Sequence, residues 1–148
     1  MKLVIGGDHA GFALKGPLVE ELGRRGHEVR DVGAFGGEQV DFPDVARELC
    51  SVVLRGEAER GIMVCGTGVG ACIAANKIPG IRAALCHDLY SAHQCVEHDD
   101  VNVLCLGAQI VGPLMATELV ETFLNARFST EEHFRRRVAK LAEMDRSR

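Results

Sequence analysis

The chain has 148 residues and a mass of 16.0 kDa, which is the size of a single folding domain. Its net charge of −4, its lack of Trp and its single Tyr argue against a general nucleic-acid binder, which needs excess basic charge and aromatic rings for stacking. No apolar run is long enough for a transmembrane helix, so no membrane partner is expected.

Strand and helix patterns alternate along the whole chain. Short apolar runs predict strands, and apolar residues spaced three or four apart predict helices. The predicted strands cover residues 2–6, 27–32, 61–65, 81–86 and 102–106. The predicted helices cover about 11–25, 42–55, the stretch after 70 to about 77, 88–97, 113–125 and 130–145.

Regular alternation of strand and helix indicates an α/β fold with parallel strands and helices on both faces of the sheet. The strands are short and almost entirely apolar, as expected where both faces are covered. We therefore predict one domain spanning residues 1–148, a Rossmann-like three-layer sandwich with a five-stranded parallel sheet. Ligands of such sheets bind beyond the carboxyl ends of the strands.

Two polar residues, Asp8 and His9, follow the first predicted strand in the glycine-rich turn GGDHAG (6–11). A carboxylate and an imidazole at this edge are suited to meeting a ligand. Alternatively, Asp8 caps the following helix and the glycines form the bend. The pattern alone leaves both interpretations open.

The segment CGTGVG (65–70) follows the third predicted strand. Alternating glycines let the backbone approach a ligand and aim N–H groups at an anion. The spacing is not that of a dinucleotide-binding turn, and no Gly-Lys-Ser/Thr ends it as in an ATP-binding loop. Cys65 faces the start of a helix, where positive partial charge favours a thiolate. The alternative is a buried cysteine beside a structural turn.

Two further polar groups lie on helices. The run EHDD (97–100) ends the fourth predicted helix, but no His pair has the i, i+4 spacing of helical metal ligands, so we predict no metal site. The last helix carries His133 and three successive arginines, 135–137. Successive helical residues point in different directions, so at most one or two arginines can serve one anion.

The six cysteines contain no CxxC pair, which argues against a zinc ribbon or a thioredoxin-like site. The first residues lack the apolar segment and cleavage site of a secretion signal. We therefore expect reduced thiols and a cytoplasmic protein. The cysteines are Cys50, Cys65, Cys72, Cys86, Cys95 and Cys105.

Motifs along almost the whole chain resemble the ribose-5-phosphate isomerase B family, which includes the bacterial galactose-6-phosphate isomerase subunits. The matching segments occur in the family order: IGGDHAGFALK (5–15), DFP (41–43), CGTGVG (65–70), AANKI (74–78), GIRA (80–83) and NVLCLG (102–107). The resemblance implies an aldose–ketose isomerase for phosphorylated sugars that uses no cofactor. It also implies a homodimer or dimer of dimers, with the active site between subunits and the last helix packed on the partner.

The resemblance implies that Cys65 is the base that moves a proton between C1 and C2 of the sugar. The branch of the family that uses Glu instead has it where this chain has Ala71. The intermediate is an enediolate, whose charge needs preorganised donors. The backbone N–H groups that match the family's stabilising loop are those of Gly66, Thr67, Gly68, Val69 and Gly70.

Five further residues match family positions that hold the substrate. Thr67 and Asp8 match residues that contact sugar hydroxyls. His98 matches the histidine that opens the furanose ring by acid–base catalysis, for which imidazole is suited near neutral pH. His9 and Arg137 match phosphate-binding positions, with Arg137 reaching the neighbouring subunit's site.

Four positions depart from the family pattern. Asp99 stands where the family usually has Asn, Gln109 and His133 stand where many members have phosphate-binding Arg, and Phe134 replaces a His. Neither Gln nor His reproduces the bidentate geometry of Arg. The resemblance therefore favours the reaction type more firmly than ribose 5-phosphate as substrate. The alternatives are another tetrose, pentose or hexose, an unphosphorylated sugar, or a subunit of a galactose-6-phosphate isomerase-like complex; a non-catalytic flavodoxin-like module leaves Cys65 and its loop unexplained.

Overall fold

The computed structural model describes residues 1–148. The chain forms five strands and six helices, joined by turns and loops. The strands are β1 (Lys2–Gly7), β2 (Glu28–Asp31), β3 (Arg60–Cys65), β4 (Ala83–Leu85) and β5 (Val103–Gly107). The helices are α1 (Phe12–Arg24), α2 (Phe42–Leu54), α3 (Val69–Asn76), α4 (Leu89–Asp99), α5 (Pro113–Asn125) and α6 (Glu132–Arg146).

All five strands are parallel, in the order β2-β1-β3-β5-β4. The chain leaves β1 toward one edge of the sheet and leaves β3 toward the other edge, so the topological switch point lies between β1 and β3. A crevice forms outside the carboxyl ends of the strands at such a point. Asp8 follows β1 and Cys65 ends β3, so both residues lie at this crevice.

The core has one layer on each face of the sheet. Ile62 and Val64 of β3 pack with α1, α4 and α5, whereas Met63 and Cys65 pack with α2 and α3. Because side chains alternate along a strand, the thiol of Cys65 points toward the layer that contains α3. The predicted α/β three-layer sandwich with a five-stranded parallel sheet is confirmed.

Element boundaries differ from the sequence-based ones mainly at β4, which has three residues where 81–86 was predicted. The backbone N–H of Arg82 donates to the side-chain oxygen of Asn102 at 2.9 Å instead of joining the strand ladder. The last helix covers Glu132–Arg146 and not 130–145, and none of its side chains is fully buried in its own chain. None of the helices is both long enough and apolar enough to cross a membrane.

Candidate active site

Cys65 is the last residue of β3, and only 5% of its surface is exposed. The backbone N–H of Gly68 donates a hydrogen bond to its Sγ at 3.0 Å. The carbonyl oxygen of Cys65 accepts from the N–H of Ala108 at 2.8 Å. The residue is therefore held between the start of α3 and the end of β5, and the N–H that donates to its sulfur stabilises negative charge there.

The turn between β3 and α3 requires glycine on both sides. Gly68 has a φ of +82°, which is left-handed backbone that favours glycine. A Cβ added at Gly107, across the turn, would lie 2.7 Å from the carbonyl carbon and oxygen of Thr67. The N–H groups of Gly70 and Ala71 lie in the first turn of α3 and have no intrahelical acceptor. The turn thus presents backbone donors at the carboxyl edge of the sheet.

Asp8 is 7% exposed, and its Oδ1 accepts a hydrogen bond from the N–H of Gly11 at 2.9 Å. The N-cap residue of α1 is Gly11, so the interpretation of Asp8 as the helix cap is wrong; its carboxylate closes the turn before the helix. A Cβ at Gly11 would overlap the carbonyl oxygen of Val64. The turn that carries Asp8 and the exposed His9 therefore lies in backbone contact with the residue before Cys65.

Thr67 and Gln109 form the rim of the same turn. The hydroxyl of Thr67 accepts from the N–H of Val69 at 3.4 Å, and Thr67 itself is exposed. The N–H of Gln109 donates to the carbonyl of Gly66 at 2.9 Å. The side-chain amide of Gln109 lies 3.4 Å from the place of a Cβ on Gly66. A neutral amide therefore stands beside the backbone donors of the turn.

A second group of predicted site residues lies on α4 and α6. The ring of His98 stacks on the ring of Phe134, with centroids 3.9 Å apart and planes at 18°. The ring of His133 lies 4.0 Å from that of Phe134, and its Nδ1 is 3.5 Å from the carboxylate of Glu131. The Cζ of Arg137 lies 5.8 Å from the centroid of the Phe134 ring.

Arg82 holds the end of α4 that carries His98. Its Nε donates to the carbonyl oxygens of Asp99 at 3.1 Å and of Asp100 at 2.8 Å. Its guanidinium also pairs with the Asp100 carboxylate at 2.7 Å. A positive charge near the last carbonyl groups of a helix interacts favourably with the helix dipole. Arg82, which belongs to the segment GIRA (80–83), therefore stabilises the end of α4. The side chain of Asp99 remains exposed.

Within one chain, the two groups lie at opposite ends of the parallel strands. The group around Cys65 lies at the carboxyl edge of the sheet, and the group around His98 lies at the amino edge. Helix α4 ends at Asp99, just before β5 begins at Val103, whereas Cys65 pairs in register with Gly107 at the other end of β5. Four residues of β5 span roughly 13 Å at about 3.3 Å per residue. The structure therefore brings Asp8, His9 and the segment 65–70 together, and it keeps them apart from His98 and the residues around it.

The Ribose/Galactose Isomerase family model matches residues 3–141. The chain belongs to this family. Ribose-5-phosphate isomerase B of Escherichia coli is 41% identical over 99% of this chain and 98% of that protein. D-Erythrulose-4-phosphate isomerase 2 of Mycolicibacterium smegmatis is 42% identical over 88% of each chain. The structure of Clostridium thermocellum ribose-5-phosphate isomerase B superposes with a TM-score of 0.96 at 45% identity, covering 99% of both chains. The family predicted from the motifs is confirmed, and the protein is an isomerase.

Lys15 of this isomerase is a site-supporting residue for which the motif gave no role. It is 1% exposed, and its ammonium donates to Asp31 Oδ1 at 2.7 Å and to the carbonyl of Ala34. The ring of Phe35 lies 4.9 Å from Nζ. A buried lysine needs such partners, and these bonds tie the end of β2 and the segment after it to the first turn of α1. A lysine within an amphipathic helix pattern is normally predicted to lie on the surface, so the sequence contains no signal that Lys15 is buried.

His87 is a second residue whose position the sequence did not reveal. It follows β4, and its Nε2 accepts a hydrogen bond from the N–H of Gly107 at 2.9 Å. Burial lowers the pKa of His87, which favours the neutral ring that accepts this bond. Because Gly107 packs against Thr67, His87 supports the glycine turn from the side of β5.

A second cysteine lies close to the candidate site but on a different face of α3. Hydrogen bonds from Cys105 and Asn76 lower the pKa of Cys72 to about 7, against the opposing effect of its burial. Its Sγ donates to the carbonyl of Ala83 at 3.5 Å. Cys72 therefore has an acidic thiol that is engaged with β4, which makes it a natural control for Cys65.

The predicted residues do not line the largest groove of a single chain. That groove has a volume of about 700 Å³, lies between α1 and α5, and is lined by residues such as Glu20 and Thr117. No three His, Cys, Asp or Glu side chains are grouped so as to hold a metal ion.

Proposed function

We propose that this isomerase interconverts an aldose phosphate and its ketose phosphate, of the ribose 5-phosphate and ribulose 5-phosphate type. A base removes the proton from C2 of the open-chain aldose, leaving an enediolate. Return of the proton to C1, together with transfer of the hydroxyl proton from O2 to O1, gives the ketose. Base, acid and backbone donors suffice for this sequence, so the proposal includes no cofactor.

The observation that carries the proposal is the hydrogen bond from the Gly68 N–H to Cys65 Sγ at the switch point of the sheet. A thiolate there is stabilised by the start of α3 and lies within reach of a ligand bound beyond β1 and β3. We assign Cys65 as the base. The N–H groups of residues 66–70 stabilise the enediolate oxygens, because donors fixed before the reaction are the most effective ones.

The remaining residues near Cys65 hold the sugar. Asp8 keeps one carboxylate oxygen free of the bond to Gly11, and it accepts a hydrogen bond from a sugar hydroxyl. The exposed hydroxyl of Thr67 contacts another. His9, on the same turn as Asp8, binds the terminal phosphate.

We further propose that His98, Asp99, His133 and Arg137 act on the substrate held by a second copy of the chain. Within one chain His98 is separated from Cys65 by the length of β5, so it cannot reach the same sugar. Helix α6 buries none of its own residues, which leaves a face for the partner. Six exposed apolar side chains surround the segment 65–70 or extend its surface: Val69, Ile73, Leu85, Leu89, Tyr90 and Ile110.

In this arrangement His98 of the second chain opens the furanose ring, and Arg137 with His133 approaches the phosphate. Asp99 lies beside His98 and contacts the sugar. A two-fold dimer makes two such sites, since each copy offers both edges to the other. A dimer, alone or paired into a tetramer, is therefore the smallest active unit. All six cysteines are free thiols, in keeping with the cytoplasm as its compartment.

A tetrose phosphate is the second candidate substrate, and Gln109 favours it. Its neutral amide lies against Gly66 at the rim of the site, where it holds a phosphate less strongly than a guanidinium would. The Mycolicibacterium smegmatis relative that is 42% identical is an isomerase of D-erythrulose 4-phosphate. A shorter sugar places its phosphate closer to the reacting carbons and changes which side chains reach it.

The experiment is isomerisation in D2O with a panel of tetroses, pentoses and hexoses, with and without phosphate, followed by NMR. Deuterium at C1 or C2 reports the enediolate directly. We expect incorporation with a phosphorylated sugar and none with its unphosphorylated form. Incorporation only with unphosphorylated sugars would refute the phosphate part of the proposal, and none with any sugar would refute the reaction.

A further inference from the structure

The ring of Phe134 is the main contact of His98 with α6. The two rings are nearly parallel, with 18° between their planes and centroids 3.9 Å apart. Stacked aromatic pairs prefer defined geometries, so the plane of the Phe134 ring fixes the plane of the imidazole. The two residues belong to different helices, 36 positions apart in the chain, and no local pattern brings them together.

Three other histidines of the chain are held by hydrogen bonds to their ring nitrogens, and His98 has no such bond. His27 bonds to Glu121, His93 to Glu97 and His87 to the N–H of Gly107. His98 is oriented by its stacked neighbour, which has no polar atom in its side chain. Both ring nitrogens of His98 therefore remain available at the edge of the stack.

Ring opening of a furanose needs two proton transfers, one from the anomeric hydroxyl and one to the ring oxygen. A histidine whose nitrogens are both unoccupied can accept at one position and donate at the other. A partner that fixed the imidazole by a hydrogen bond would use one of these nitrogens. Stacking on Phe134 orients the imidazole and leaves both of its nitrogens free for proton transfer.

Phe134 also links His98 to Arg137. The guanidinium carbon lies 5.8 Å from the Phe134 centroid, one helical turn further along α6. Because α6 buries no residue in its own chain, this aromatic contact with α4 is a principal tether of its first half. The stack therefore holds the ring-opening group and the proposed phosphate-binding cation in one unit.

We propose that Phe134 is a positioning residue for ring opening: its ring fixes the orientation of His98 and keeps both imidazole nitrogens free for a cyclic sugar substrate. This proposal rests on the proposed function. It goes further by assigning a role to a residue that touches His98 and not the reacting carbons.

The test compares Phe134→Leu, which removes the ring, with Phe134→Tyr, which keeps it. The substrates are ribose 5-phosphate, which forms a furanose, and erythrose 4-phosphate, which cannot because its O4 carries the phosphate. We expect Phe134→Leu to lower kcat on ribose 5-phosphate about tenfold and to change kcat on erythrose 4-phosphate by less than about twofold; a weaker phosphate contact from Arg137 would raise KM for both substrates. Phe134→Tyr should restore the wild-type value on both substrates.

Phe128→Leu is the matched control. Phe128 lies just before α6 and faces Arg135, with 4.7 Å between its ring centroid and the Arg135 Cζ. The Phe128→Leu substitution therefore removes an aromatic ring from the same region without changing the contact with His98. It should leave the ratio of the two activities unchanged. Size-exclusion chromatography of each variant confirms that the assembly is preserved.

The NMR signal of the His98 Cε1–H group gives a readout that does not depend on activity. The ring current of Phe134 should shift this signal upfield in wild type and in Phe134→Tyr, and the shift should vanish in Phe134→Leu. Equal losses on both substrates, or a tenfold loss without rescue by Tyr, would overturn the positioning role while leaving the isomerase intact. A wild type that exchanges no deuterium into any sugar phosphate would instead refute the proposed function, whatever the NMR signal shows.

Discussion

The two edges of the sheet are built by different means. At the carboxyl edge, Cys65 and Asp8 are almost fully buried and are held by backbone N–H groups at 3.0 and 2.9 Å. At the amino edge, His98 and Arg137 lie on helices near the surface and are ordered by contacts with one aromatic ring. The residues at the carboxyl edge are fixed by backbone geometry, and those at the amino edge are fixed by the packing of α6.

In the proposed site, the rigid edge and the edge formed by helices have different tasks. Proton transfer to and from carbon needs fixed donors and a base that does not move. Ring opening and phosphate binding tolerate a more adaptable arrangement, because they act on the periphery of the sugar. In the proposed two-chain site, the rigid edge carries the proton transfer at carbon, and the edge formed by helices carries ring opening and phosphate binding.

Cys65→Ala tests the rigid half and has the largest expected effect. Loss of the base should lower kcat by about a hundredfold or more, while the small side chain keeps the fold and the assembly. The matched control is Cys72→Ala, which removes the thiol whose pKa is lowered to about 7 but which points to β4. Steady-state kinetics of both variants decide the matter: normal turnover by Cys65→Ala would place the base elsewhere, with Asp8 and Asp99 as the next residues to change.

Asp31→Asn tests how strongly burial constrains the carboxyl edge. It leaves the ammonium of Lys15, whose side chain is 2% exposed, without its counter-charge. The free energy of unfolding should fall by about 3 kcal/mol, the usual effect of breaking a buried pair. Urea unfolding measures it. Glu57→Gln, which breaks an exposed pair with Arg30, should leave the midpoint nearly unchanged; similar midpoints for the two variants would contradict the buried network.

The double variant Gln109→Arg/His133→Arg changes one proposed phosphate-contacting position at each edge of the sheet. Each new guanidinium adds a charge-assisted contact to phosphate, so KM for ribose 5-phosphate should fall about tenfold or more. Phosphate binding is remote from the proton transfer, so kcat should change little. A wild type already efficient on ribose 5-phosphate, with no gain in the double variant, would show that Gln109 and His133 do not reduce phosphate affinity.

His87 gives the smallest predicted effect, which is a pH dependence of stability. Burial lowers the pKa of His87 in the folded protein, so the neutral ring stabilises the fold above the unfolded-state pKa of about 6.5. That contribution is lost as the pH falls from there through the lowered folded-state value. His87→Gln keeps an acceptor for the Gly107 N–H without a titrating group. The difference in Tm between pH 7 and pH 5.5 should therefore be smaller in the variant than in wild type, and an unchanged difference would show that His87 does not contribute.

The carboxyl edge was largely predictable from the sequence, for a physical reason. A strand followed by glycines with a cysteine or an aspartate at the junction has few ways to fold, so the segment 65–70 and the pair Asp8 and His9 were assigned to the right edge. Periodicity also predicted every strand and helix, and the errors are confined to boundaries such as β4, where Asn102 takes the N–H of Arg82.

The amino edge, and the side-chain contacts of Lys15 and His87 at the carboxyl edge, could not be predicted in the same way. The stack of His98 on Phe134 and the burial of Lys15 depend on which helix faces meet in three dimensions, and neither residue type nor spacing encodes that. No role was predicted for His87, because its bond to Gly107 joins the ends of two strands that are neighbours in the sheet but distant in the sequence. The family resemblance predicts a role for His98, but the structure was needed to show that it lies far from Cys65 in its own chain.

In the proposed assembly, each active site combines the Cys65 edge of one chain with the His98 edge of another. Complementation tests it most directly: Cys65→Ala and His98→Asn chains, each nearly inactive on ribose 5-phosphate alone, are unfolded together, refolded and assayed. Random pairing into two-fold dimers gives heterodimers with one intact and one doubly altered site, so activity should return to about a quarter of the wild-type value. Activity that stays at the average of the two variants, with heterodimers demonstrated by native mass spectrometry, would show that both residues serve the same chain and would contradict the account.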